Sequence, residues 1–225
     1  MNKLKKASPF IILLFVPITI ILSYTFGFTN YAVLSIIVAA LSLIACLISI
    51  ENKPTSLRRL VAVGVMTAIS VVGRLIFAPI PGFKPVTAVT VLCAMYFGPS
   101  GGFMCGALSA LISNLYFGQG PWTPIQMFTW GLIGLIAGIL SKPLKNSKII
   151  LSIYGAVSGI VYSLILDIWS VQWFSGGFSI SLYLAAVYTS LPFMLVYMVS
   201  NVIFLLVLNR FCKKGIERIV DKYMD

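Results

Sequence analysis

PIPGFKP (79–85), GPSGG (98–102) and GQGPWTP (118–124) punctuate a sixty-residue stretch that runs on to Gly138 and decides the fold. Between and after these Gly/Pro clusters lie three apolar segments, 86–97, 103–117 and 125–140, each rich in small residues. Gly and Pro break helices and make turns, so the segments they bound are short. In hydrocarbon every backbone polar group must be satisfied internally, which favours helices with their irregular loops near the surfaces. The pattern predicts closely packed helices whose loops carry one lone basic residue, Lys84, and an aromatic–proline turn.

Composition sets the class. Of 225 residues 60% are hydrophobic and 9% charged, where an ordinary soluble domain has roughly 25% charged residues. So few charges cannot solvate a core of this size, and the chain reads as an all-α polytopic membrane protein. The formal charge of +11 does not point to nucleic acid, because the basic residues flank apolar runs instead of forming one patch. There is no histidine, which removes HExxH and Ser-His-Asp schemes, and the four cysteines show no CxxC spacing. No metal site is expected.

Outward from the central stretch, the apolar runs predict about eight spans. Two of them, 10–26 and 31–50, form an N-terminal hairpin closed by GFTN; with the connector ENKPTSLRR it makes up a unit over 1–56. The other six, 60–78, 86–97, 103–117, 125–140, 149–174 and 181–208, form a core over 57–225 that ends in a basic tail. With both termini cytoplasmic, fourteen of the sixteen Lys and Arg residues fall inside, as the positive-inside rule requires. The loops at 79–85, 118–124 and 174–180 then open to the outside.

Few residues can carry chemistry. There is no GxxxxGK[ST] phosphate loop and no paired acidic motif, so the chain does not read as an enzyme. Arg74 and Asp167 are the only ionisable groups well inside spans, about 22 Å and 27 Å from the basic ends of their helices. Either they pair or they face a polar cavity and its ligand. Near the same level cluster the aromatics Phe83, Trp122, Trp169 and Trp173 and the amides Asn114, Gln119 and Gln126. Together with Lys84 they describe an amphipathic pocket for a large organic molecule. Small-xxx-small ladders recur at Gly64 and Ala68, at 102, 106 and 110, at 134 and 138, and at 155 and 159. Most such ladders serve internal helix packing; one left exposed is a docking face.

Over residues 57–210 these features resemble the substrate-binding S component of energy-coupling factor (ECF) vitamin transporters. The resemblance rests on Gly64-xxx-Ala68 early in the first core helix, Arg74 near that helix's far end, and GPSGG. The loop YFGQGPWTP (116–124) is similar to the cobalamin-specific branch. It implies a six-helix core in a bacterial cytoplasmic membrane that captures a vitamin from outside, with cobalamin or a related corrinoid first and riboflavin an alternative. It further implies a transmembrane scaffold partner meeting Gly64 and Ala68, and two cytoplasmic ATPase partners that hydrolyse the ATP, this chain holding no cofactor. The family's docking motif begins with Ala where this chain has Gly64. A self-sufficient secondary carrier for a small organic solute remains the competing reading.

Overall fold

The computed structural model describes residues 56–175 and 179–223, together with isolated helical positions between 15 and 44. Apart from those positions, the N-terminal hairpin expected over 10–50 lies outside the described residues. Six helices follow: α1 (Ser56–Ile76), α2 (Val86–Phe117), α3 (Trp122–Ile139), α4 (Ser141–Asn146), α5 (Lys148–Phe174) and α6 (Ile180–Tyr223). All except α4 are long and apolar enough to cross a membrane.

α2 is two antiparallel arms joined at one residue. Gly98 has φ 80° and ψ 177°, a conformation that breaks the helix and that glycine alone adopts readily. The arms then run side by side: a Cβ on Gly102 would sit 2.4 Å from that of Ala94, and the Cys93 thiol donates to the Gly101 carbonyl at 3.6 Å. The Arg59 guanidinium donates to the Phe97 carbonyl, capping the end of the first arm. The turn is thus tighter than GPSGG suggested. Pro99 opens the second arm where a missing N–H costs least, and Ser100, Gly101 and Gly102 are already helical.

The small-residue ladders interlock the bundle. A Cβ on Gly134 would lie 2.4 Å from the Gly102 carbonyl oxygen, one on Gly106 2.4 Å from that of Trp130, and one on Gly138 2.4 Å from the Pro99 Cα. These contacts weld the second arm of α2 to α3, antiparallel. Gly155 and Gly159 do the same for α5 against Leu205 and Met198 of α6. On α1, by contrast, Gly64 and Ala68 are exposed, and a Cβ on Gly64 meets nothing within 4 Å.

Only the first part of the segment after α1 stays at the surface as expected: Pro79, Ile80 and Pro81 are exposed, and the chain then turns inward. Lys84 is tied to Ser200 of α6, whose neighbour Asn201 donates to the Gly155 carbonyl at 3.1 Å. Gly155 is only seven residues into α5, about 10 Å from its start. Residues 82–85 therefore dip into the bundle. That explains why the first arm of α2, about 18 Å long, is shorter than the ~30 Å hydrocarbon layer. It starts inside the protein, and all its residues from Val86 to Met95 are buried.

At the other end α4 replaces the expected polar link, with Leu144 as a buried plug and the Lys145 ammonium 4.4 Å from the Tyr96 ring centroid. The basic tail continues α6 unbroken, making a 44-residue helix about 66 Å long. Ile216 is buried on the bundle and Lys213 pairs with Glu217 at 3.8 Å.

Candidate functional site

Irregular backbone at membrane depth is tolerated only where protein buries it or it lines a cavity. Residues 82–85, half-buried to buried, meet that condition and deliver Lys84. Gly82, at φ +76°, turns the chain. Pro85 seats against Gly73, where a Cβ would come within 2.5 Å of its ring. The Ser200 hydroxyl then accepts from the Lys84 N–H at 2.9 Å and donates to its carbonyl at 3.2 Å. With its backbone satisfied, Lys84 turns its ammonium toward Trp130 and Tyr197, 5.9 Å and 5.5 Å from their ring centroids.

Those rings belong to a stack drawn from three helices. Trp130 of α3 lies nearly parallel to Tyr162 of α5 (4.9 Å, 23°), and Tyr162 meets Tyr197 of α6 at 4.9 Å. The indole N–H of Trp130 donates to the Tyr197 hydroxyl at 2.7 Å, which also hydrogen-bonds Thr87 on the first arm of α2 at 2.9 Å. All four residues are buried, and these bonds satisfy polar atoms that would otherwise be stranded.

Arg74 approaches the same stack from α1. Its guanidinium lies 5.2 Å from the Trp130 centroid and 4.6 Å from that of Phe117, donating to Ser113 and, at 2.9 Å, to Asn114 Oδ1. The Asn114 amide in turn donates to Thr123 at 3.0 Å and Gln126 at 2.9 Å. Thr123 donates to Gln119 Oε1 at 2.8 Å, and the Gln119 amide donates to the Leu111 carbonyl at 2.9 Å. The expected residues Arg74, Lys84, Asn114, Gln119 and Gln126 thus converge on one aromatic–cation–amide cluster.

The other expected residues lie elsewhere. Asp167 accepts from Ser190 at 2.6 Å and forms no ion pair with Arg74; the depths of the two match, but their helices present them to different neighbours. Phe83 packs with Phe77 and Phe204 at 4.9–5.7 Å, a wedge that seats the dipping segment. Trp122 is 41% exposed. Trp169 and Trp173 stack at 5.9 Å, and the buried Trp169 N–H has no hydrogen-bond partner among the described residues. Sequence reasoning missed Thr87, Trp130, Tyr162 and Tyr197, which sit in helical runs that read as apolar filler. One signal was available: Trp130 follows Gln126 by four residues and so shares its helix face.

Among the described residues no group of three or more Cys, Asp or Glu could hold a metal. The arrangement brings aromatic rings, amides and two cations together inside the bundle, the groups from which a site for a planar polar molecule is built. A second feature lies at the basic end. There an apolar groove of about 710 Å³ runs between α1 and α6, lined by Val61, Val65, Ile69, Cys212 and Ile216 among others, beside exposed Gly64 and Ala68.

A family model described as "ECF-type riboflavin transporter, S component" matches residues 54–214. No curated protein and no solved structure matches the chain.

Proposed function

The chain belongs to the ECF-type riboflavin transporter S-component family, and from that premise we propose that its aromatic–cation cluster captures a flavin-type vitamin. It is a multi-pass membrane protein and the substrate-binding subunit of an ECF transporter. The observation that carries the flavin reading is the Trp130–Tyr162–Tyr197 stack bordered by the Asn114–Gln126 amides. A flat heteroaromatic ring with carbonyl and N–H edges matches that combination of faces and hydrogen-bonding groups. The corrinoid suggested by the 116–124 loop stands as the alternative ligand.

The basic end, with Arg58, Arg59, Lys142, Lys145 and Lys213, faces the cytoplasm in this reading. The cluster then lies away from the cytoplasmic end, while Gly64 and Ala68 meet the scaffold subunit that couples capture to the ATPases. The test is fluorescence-quenching titration of riboflavin into the purified full chain, with cobalamin in a parallel calorimetric titration. Saturable stoichiometric quenching supports flavin capture. Heat from cobalamin without flavin quenching overturns it in favour of the corrinoid.

A further inference from the structure

We propose that the ligand of this site carries an anionic group received by Arg74 and Lys84. The inference rests on the flavin-capture reading and adds the charge of its ligand. Two cations inside the bundle approach one ring, Trp130, at 5.2 Å and 5.9 Å from its centroid. Among the described residues neither has a carboxylate partner. Asp167 is tied to Ser190, and the Lys213–Glu217 ion pair lies on the tail of α6. Among the described residues Arg74 donates through Nη1 alone, and the Lys84 ammonium makes no hydrogen bond.

Buried like charges without a counter-charge repel one another and are costly to desolvate; contact with ring faces offsets only part of this. The fold nevertheless breaks its backbone regularity to place Lys84 there, and secures it with both Ser200 hydrogen bonds. A neutral ligand leaves that repulsion in place. An anion relieves it, because guanidinium and ammonium groups form their strongest hydrogen bonds with charged oxygens. The ligand class is therefore a planar heteroaromatic molecule bearing a phosphate or carboxylate, its anion directed to the two cations.

The experiment compares riboflavin with riboflavin 5′-phosphate by fluorescence quenching on the full chain in detergent. The phosphate ester is expected to bind about tenfold or more tightly, a difference of about 1.4 kcal/mol. Lys84→Gln should erase most of that preference and Lys84→Arg should keep it. Equal or tighter binding of neutral riboflavin by the unmodified chain overturns the anion proposal and leaves flavin capture standing. Binding of neither flavin removes both. Should Lys84→Gln fail to fold, the unmodified chain's preference and its retention in Lys84→Arg still decide.

Discussion

Alanine at Gly106 and alanine at Gly64 are the same chemical change in opposite surroundings, and their stabilities should diverge. At Gly106 the new Cβ would stand 2.4 Å from the Trp130 carbonyl oxygen and 2.8 Å from the Gly131 nitrogen, where ordinary contact begins near 3.4 Å. The obstacle is backbone, which no rotamer change can clear. The second arm of α2 and α3 must therefore part by about 1 Å. A gap of that size forfeits roughly a quarter to a half of each affected dispersion contact, and overpacking of this kind costs about 1–3 kcal/mol. Against this, Ala improves helix propensity over Gly by about 1 kcal/mol. Gly106→Ala should thus be net destabilising by up to about 2 kcal/mol, and it should disturb Trp130 in the binding site. At Gly64 nothing lies within 4 Å, so only the favourable propensity term remains. For chains of this length about 1 kcal/mol corresponds to roughly 2–4 °C in melting temperature. Thermal melts of the two purified variants in one detergent, read beside the unmodified protein, should put Gly106→Ala several degrees below Gly64→Ala. The reverse order, or coincident melts, refutes the interlocked packing of α2 and α3.

Three more outcomes follow from the same geometry. Gly64→Leu should fold and bind ligand normally but lose complex formation with the ECF scaffold and lose uptake; normal assembly and transport would mean that this face of α1 is not the docking surface. Tyr197→Phe removes the acceptor of the Trp130 N–H and the partner of Thr87, so it should cost about 1 kcal/mol in a melt and weaken flavin quenching; unchanged values for both would dissociate Tyr197 from the site. A cysteine placed at Ser147 should resist an impermeant thiol reagent in intact cells while one at Ser179 reacts, and the opposite pattern would invert the orientation drawn from the charge distribution.

Much of the fold was legible because its determinants are local and periodic. Runs of apolar residues broken at 98, 118 and 141 suffice to mark the core helices, and the lack of charge says what surrounds them. The ladders at 102, 106, 134 and 138 announced close packing, and the structure brings those residues together. The boundaries that shifted did so for reasons that spacing does not encode. Pro99 and Ser100 entered the helix because one glycine at φ 80° was enough to reverse the chain. Residues 82–85 left the surface because Phe83, with Phe77 and Phe204, offered them a hydrophobic seat.

The site was legible in its cations and amides and opaque in its rings. Arg74, Lys84, Asn114 and Gln126 stand out in an apolar chain because a polar group there needs a reason. Trp130, Tyr162 and Tyr197 do not, since aromatic residues are ordinary membrane constituents and nothing local separates a lipid-facing ring from a stacking one. What separates them is the partner each finds for its polar tip. Trp130 finds Tyr197, 67 positions away, and Tyr197 finds Thr87 across 110. Matching depths brought Arg74 and Asp167 together on paper, but azimuth decides contact, and the helices turn Asp167 to Ser190. The same azimuthal ordering leaves the two cations facing Trp130 with no acid between them. On the anion proposal, keeping Asp167 apart from Arg74 and Lys84 leaves the charge of those two cations to be met by what the chain binds.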